Sequence, residues 1–318
     1  MLKAILSFPY QLVHSIRCLF NFKQNKLPRP VISIGNLSFG GTGKTPVTIA
    51  IAKYLAESGM KVCVLTRGYK SKNKSFPLII NSKDANFPTV LETGDEALEM
   101  LTAFKEADLD ITVSIDPNRY RAGLETLKNR EVDVFILDDG MQHIGLARNV
   151  EVILKNVNES GFYREFPWAE READFLLHTK VDEYWLSKNQ GKYSVSFNLS
   201  LTKILNNEKR LGVFTAIADP STLLKMIKEL IKKDSQHKEI SEIKLLSFPD
   251  HHSFTVDEVT QALSLGINLI TTQKDLMKIS EEYRDRFHLA NLELEFLPKE
   301  FLSELRNRVT SSPRGEEK

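Results

Sequence analysis

Three groups of residues in this chain have the types and spacing to do phosphate chemistry. The first is Ser38-Phe39-Gly40-Gly41-Thr42-Gly43-Lys44-Thr45. Glycines let successive backbone N–H groups point at phosphate oxygens; the lysine can then reach β/γ-phosphates and the threonine hydroxyl can hold Mg²⁺. The leading glycine of the strict G-x-x-x-x-G-K-[ST] pattern falls on Ser38, so the pattern is incomplete, while Gly40, Gly41 and Gly43 remain. The second group is Asp95-Glu96, after Thr93-Gly94. Acids at a helix start can simply complement the helix dipole, or they can accept a proton or support a metal beside a nucleotide. The third is Asp138-Asp139, ending an apolar run and followed by Gln142 and His143. A carboxylate at the tip of the strand beside a phosphate-loop strand completes a Mg²⁺ site with a hydroxyl such as that of Thr45.

These groups need elements to hold them. Val31 to Ile34 reads as a buried strand and Val47 to Glu57 as a helix, which gives the strand–loop–helix layout the phosphate loop requires. Lys61 to Thr66 is a strand buried on both faces, with Arg67-Gly68-Tyr69 just past its end, where open parallel sheets bind ligands. A helix over Ala97 to Lys105, strands at Pro77 to Ile80 and Asp110 to Ser114, and a helix from Arg119 to Lys128 lead to the strand ending at Asp138. Further strands follow at Val150 to Leu154 and Phe175 to Lys180. Between them lies an irregular aromatic stretch carrying Arg164 and Glu165 beside Phe166-Pro167.

From about Gly191 the texture changes to short alternating runs at Tyr193 to Leu199 and Leu211 to Ala216, then a helix over Ser221 to Lys232. The polar stretch Lys233 to Glu242 reads as an exposed linker. Strands at Leu245 to Phe248 and Asn268 to Thr272 flank a helix over Thr255 to Leu265. The segment Pro249-Asp250-His251-His252 offers a metal site or a general base; with no cysteine or third ligand nearby, zinc is the weaker option.

Composition excludes several classes. The 318 residues are 42% hydrophobic and 27% charged, as in soluble globular proteins. Forty-three basic residues against 42 acidic ones give no global argument for nucleic acid. Only Cys18 and Cys63 are present, too few for a disulfide framework or a zinc site. Residues 1–22 are apolar but interrupted by Pro9, Gln11 and His14, too short and polar to span a bilayer and without a signal-peptide cleavage site. They suit an amphipathic segment in a membrane interface, or an ordinary helix packed on the domain. The last residues, SSPRGEEK, read as a disordered tail.

In order, GNLSFGGTGKTP, TRGY, GDE, LDDGMQH, FPDHHSF and TTQKD resemble the motifs of one family, the tetraacyldisaccharide 4′-kinases (lipid A 4′-kinases) of Gram-negative bacteria, over about residues 2–300. The family's loop also lacks the leading glycine at the Ser38 position. The resemblance implies an α/β fold: a P-loop NTPase-type, mostly parallel sheet flanked by helices, a smaller C-terminal α/β lobe and an N-terminal amphipathic membrane-interface helix. The implied divisions are 1–27, 28–190, 191–308 and a 309–318 tail. The activity implied is ATP-dependent phosphorylation of the 4′-hydroxyl of a lipid A disaccharide 1-phosphate precursor. It would act at the cytoplasmic face of the inner membrane, as a monomer bound to the membrane surface through residues 1–22.

By the same resemblance Ser38 to Thr45 bind ATP, with Lys44 also catalytic, and Thr45, Asp138 and Glu96 hold Mg²⁺. Asp95 takes the hydroxyl proton, assisted by a histidine: His251, directly after Asp250, is chosen over His252. Tyr69, Arg119, Asp139, Gln142 and His143 line the site, and Arg164 and Glu165 contact the acceptor. Two departures stand out. GDE is followed by Ala97 where the family has proline, and the region before Arg164 is shorter than the family's Pro/Gly-rich loop, which bears on acceptor choice. The competing reading is a membrane-associated P-loop ATPase or nucleotide switch without lipid kinase activity. Deviant-Walker switches carry a lysine where Phe39 stands, and a GTPase needs an asparagine where TTQKD has Gln273.

Overall fold

The computed structural model describes residues 24–38, 42–158, 167–201, 209–233 and 240–311. The chain forms two compact units, one containing the residues up to Ser196 and from Leu294 onward, the other Phe197–Glu293.

In the first unit the β-branched run after Pro30 becomes β1 (Val31–Asn36), wholly buried. Helix α1 (Lys44–Glu57) begins at Lys44, earlier than the expected Val47. Pro46 is tolerated because it sits in the first turn, where its missing N–H would have had no intrahelical partner. β2 (Val62–Thr66) is buried throughout, and β3 (Leu78–Asn81) lies before α2 (Asp95–Glu106). Then come β4 (Ile111–Ile115), α3 (Arg119–Asn129), β5 (Val134–Asp138), β6 (Val150–Asn156), β7 (Phe175–Thr179) and the start of β8 (Ser194–Leu201), whose residues from Phe197 belong to the second unit. The spatial order is β8-β7-β6-β1-β5-β2-β4-β3. The pairings from β4 across to β8 are parallel, and β3 is an antiparallel edge.

β1 sits between β5 and β6, with Ile34 opposite both Asp138 and Val152. The connections on its two sides run to opposite halves of the sheet, so a crevice opens beyond the carboxyl ends of these strands. On one face Val31, Leu65, Phe135 and Leu137 pack with Ala122 of α3. The other buried set comes from α1 (Val47, Ile51, Leu55) and α2 (Met100, Leu101, Phe104). Each large side chain removed from water this way contributes about 1.5–3 kcal/mol, enough to hold the strand ends as a rigid platform.

The second unit contains β9 (Arg210–Thr215), α4 (Pro220–Lys233), β10 (Glu242–Ser247), α5 (Val256–Leu263) and β11 (Asn268–Thr272). β12 (Phe287–Leu297) follows, and β10-β9-β11-β12 pair in parallel. Leu211 and Val213 pack with Leu223, Ile227 and Ile231 of α4, while Phe214 packs with Val259 and Ala262 of α5. That is the alternation of a strand covered by a helix on each face.

Helix α6 (Phe301–Ser311) belongs to the first unit. Its Phe301 meets Phe296, Phe175 and Tyr193 ring to ring. The second lobe is therefore shorter than the expected 191–308, because the aromatic cluster draws the chain end onto the first unit. The helix also enters the expected tail, since Val309 is buried. Of the expected linker, Glu242 is already in β10. Residues 234–239, like 1–22, Phe39-Gly40-Gly41, Arg164-Glu165 and 312–318, lie outside the described residues. No helix among the described residues is long and apolar enough to cross a membrane.

Candidate active site

Gly43 caps α1 in the left-handed conformation, φ 85°, with no side-chain cap and no acid in the first turn. The first-turn amides and the positive end of the helix dipole are thus left for an anion. Lys44, the first helical residue, places Nζ 3.0 Å from Asn36 Oδ1 and 3.4 Å from Asp139 Oδ1. Its side chain is only 16% exposed, so the ammonium is held at the crevice and not in bulk water. Ser38 and Thr42 are buried beside it, and Thr45 and Gly43 are half-buried.

Asp138 ends β5 and is buried. Its Oδ1 accepts from the Thr48 hydroxyl at 3.2 Å and its Oδ2 from the Thr66 hydroxyl at 3.2 Å. Burial above all, then the nearby Glu96 and Asp139 carboxylates, push its pKa up to about 7; Lys44 and the Thr48 bond oppose this only in part. A carboxylate so placed lacks positive charge. Arg119, at the start of α3, is buried near Asp138, Asp139 and Asp116, and burial lowers its pKa. Burial, then the Arg119 and Arg148 charges, bring His143 down to about 4 and keep its ring neutral near pH 7. Gln142 Nε2 donates to the Asn36 carbonyl at 3.3 Å.

The fit to a Mg²⁺-bound phosphate chain rests on these features. A cation-poor buried carboxylate faces a lysine and a bare helix start. Thr42 Oγ1 and Arg119 Nε are buried with no hydrogen-bond partner among the described residues. No three His, Cys, Asp or Glu side chains converge on a metal position among the described residues. Mg²⁺ uses one or two side chains together with phosphate oxygens and water, and the Asp138 carboxylate, with Glu96 and Asp139 beside it, offers oxygens of that kind.

Asp95 and Glu96 open α2, both half-buried. Their approach depends on Gly94: a Cβ there would lie 2.2 Å from the Tyr69 carbonyl oxygen, and its φ is 82°. The TRGY turn and the GDE helix start are thereby packed together, with Tyr69 exposed beside them. The first unit thus gathers Lys44, Thr45, Glu96, Asp138, Asp139, Gln142 and His143 at one end of its sheet.

In the second unit His252 is engaged locally. Its Nε2 lies 3.0 Å from both carboxylate oxygens of Glu258, and its ring stacks on Phe248. His251 has a left-handed backbone, φ 61°, and its N–H donates to the Ala216 carbonyl. TTQKD is a clamp for this region. Asp275 is fully buried; its Oδ2 accepts from the Thr215 hydroxyl at 2.6 Å, the Ala216 N–H at 3.0 Å and the Thr272 hydroxyl at 3.0 Å. Its Oδ1 takes Lys278 Nζ at 3.2 Å, an ammonium only 4% exposed. Asp275→Ala, leaving that buried charge and those donors unmatched, is expected to cost about 3–5 kcal/mol, read as a lower urea midpoint; a loss within the range of surface substitutions would contradict the clamp.

Sequence reasoning passed over Asn36, Thr48 and Thr66, which orient Lys44 and Asp138. Asn36 ends the phosphate-loop strand and Thr48 stands one turn beyond Lys44, positions from which helix and strand periodicity would have pointed them at the loop.

The sequence model of one family, tetraacyldisaccharide-1-P 4′-kinase (LpxK), matches residues 1–310. The chain belongs to this family. Among relatives, the tetraacyldisaccharide 4′-kinase of Geobacter metallireducens is 31% identical over 309 residues, covering 87% of this chain and 88% of the relative. That of Aquifex aeolicus is 31% identical over 308 residues, covering 90% of each. A crystal structure of Aquifex aeolicus LpxK in complex with ATP superposes with a TM-score of 0.76 at 29% identity, covering 97% of this chain and 99% of that one. This family member is a kinase by that membership, and its mostly parallel, helix-flanked sheet is the LpxK fold.

Proposed function

We propose that the protein transfers the γ-phosphoryl group of ATP to the 4′-hydroxyl of a tetraacyldisaccharide 1-phosphate in lipid A synthesis. The observation that supports this most directly is Lys44 at the bare start of α1, 3.4 Å from Asp139, with buried Asp138 one residue before it. Phosphoryl transfer asks a protein chiefly for positioning and charge neutralisation. Lys44 and the amides of residues 38–45 hold the phosphates. Thr45, Asp138 and Glu96 are the groups that would hold Mg²⁺, which when bound neutralises charge on the phosphate oxygens.

Asp95 accepts the acceptor hydroxyl's proton, and His251 orients it. His251 is chosen for that role because it stands directly after Asp250, whose Oδ2 lies 3.6 Å from its Nε2. Tyr69, Arg119, Asp139, Gln142 and His143 line the active site; Arg164 and Glu165 contact the acceptor. Residues 1–22 attach the enzyme to the cytoplasmic face of the inner membrane, where an acylated sugar must be met.

The test is transfer from radiolabelled ATP to a tetraacyldisaccharide 1-phosphate, with Mg²⁺ supplied or chelated. ATP hydrolysis without labelled lipid would reject the kinase reading. Deleting residues 1–22 is expected to move the protein from the membrane to the soluble fraction on sedimentation; an unchanged distribution would assign that segment to domain packing.

A further inference from the structure

The segment carrying Asp139, Gln142 and His143 is irregular, yet it must present these groups at fixed places. One buried array lies behind it. Ser33 in β1 stands opposite Glu151 in β6, and its hydroxyl donates to Glu151 Oε1 at 2.8 Å. Glu151 Oε2 takes Arg148 Nη1 at 2.5 Å, with the two side chains 9% and 13% exposed. The other arm of that guanidinium, Nη2, reaches the carbonyls of Met141 and His143, each at 3.3 Å. Only arginine offers a planar fork that can bind a carboxylate on one edge and carbonyls on the other. The far side of the loop is held separately: Gln24 Nε2 donates to the Ile144 carbonyl, and Asn25 exchanges backbone bonds with Gly145 and Ala147.

We infer that Ser33, Glu151 and Arg148 form a positioning relay that fixes residues 141–143 at the phosphate site from inside the sheet. Arg148 itself touches no reacting atom. This rests on the kinase reading for what the loop serves, though not for the relay itself. A buried ion pair is a poor source of stability, since replacing both charges by neutral groups is often harmless to folding. Its use here is directional: β1 and β6 are paired, buried strands, and the relay passes their register to a loop. A second consequence is electrostatic. The charged groups felt by His143 are Arg119, from α3, and Arg148, and both favour the neutral imidazole.

Two readouts on the full chain test the relay, using Arg148→Met/Glu151→Gln, which leaves no unpaired buried charge. In the ligand-free protein, ¹H–¹³C NMR of the His143 ring, assigned with His143→Ala, should show its titration moving up slightly from about 4, because burial and Arg119, the larger causes, remain. In the kinase assay, kcat should fall about tenfold or more while the KM for ATP stays within about threefold. Arg148→Lys, keeping the charge but not the fork, should largely restore the titration and only partly restore kcat. A folded double variant with His143 still titrating as in wild type and unchanged kcat would overturn the inference. So would a lowered melting temperature with both readouts unmoved, which would make the array a packing element alone. If wild type transfers no phosphate at all, the kinase reading fails, and the relay is then decided by backbone amide exchange of residues 141–143, which should quicken in the double variant if Arg148 holds their carbonyls.

Discussion

Replacing Asp95 by alanine is expected to lower kcat about 10²–10⁴-fold, the usual contribution of a positioned general base, while leaving ATP affinity close to wild type. The size of the effect decides between two readings of the same residue. Asp95 is the first residue of α2, where an acid merely complementing the helix dipole contributes about 0.3–1 kcal/mol of stability. A dipole role therefore predicts a small drop in melting temperature and nearly normal turnover; a base predicts the reverse.

Lys44→Ala provides the contrast. Removing the ammonium that sits between Asn36 and Asp139 takes away charge stabilisation of the transferring group, roughly a 10²–10³-fold loss in kcat, and weakens ATP binding as well. Single-turnover transfer with radiolabelled ATP, alongside equilibrium ATP binding, separates the two. If Asp95→Ala retained turnover within about threefold, below even the smallest general-base contribution, the base assignment would fail while the phosphate site stood.

Much of this arrangement is legible in sequence because it depends on local rules. Val31 to Ile34 reads as a strand and Val47 to Glu57 as a helix from composition and period alone. The acids of GDE and DDG stand at element boundaries, where side chains reach a crevice. What local rules leave out is partnership across the sheet. Glu151 lies inside the run VEVIL, which predicts a buried strand; only the register of β6 against β1 brings Ser33 to it. Thr48 and Thr66 come from separate elements and meet only at Asp138. β12 and α6 were not anticipated either. The run Leu292, Leu294, Phe296 alternates like a strand, but the burial of Phe301 against Phe175 and Tyr193 depends on residues more than a hundred positions away. Asp275 shows the converse case, a motif residue whose work is structural.

Asp138→Asn is expected to stabilise the ligand-free protein above pH 7 while removing Mg²⁺-dependent ATP binding. The folded carboxyl is raised to about 7 from an ordinary value of 3.8, so between those limits the folded state binds the proton more tightly than the unfolded chain. Its contribution to stability is complete below the ordinary value and is lost as pH rises through 7, at about 1.4 kcal/mol per pH unit. His143 acts in the opposite sense. Lowered to about 4 from 6.5, it makes the unfolded chain the better proton acceptor in that window, so its contribution grows as pH rises from 4 to 6.5.

The two slopes oppose each other across nearly the same range, and from these groups the wild-type melting temperature should change little there. Asp138→Asn removes one slope and should expose a melting temperature that climbs between pH 4 and 6.5. His143→Ala should expose one that falls as pH approaches 7. Added Mg²⁺ with ATP inverts the situation for Asp138, since cation binding requires the ionised carboxylate; nucleotide-induced stabilisation of wild type should therefore weaken below pH 7 and be absent from Asp138→Asn. Melting curves across this pH range for the three proteins, with and without Mg²⁺ and ATP, supply the check. Parallel curves for wild type and Asp138→Asn would mean that Asp138 is ionised throughout, and that the charge-poor cradle inferred from its burial is already balanced by Lys44 and Arg119.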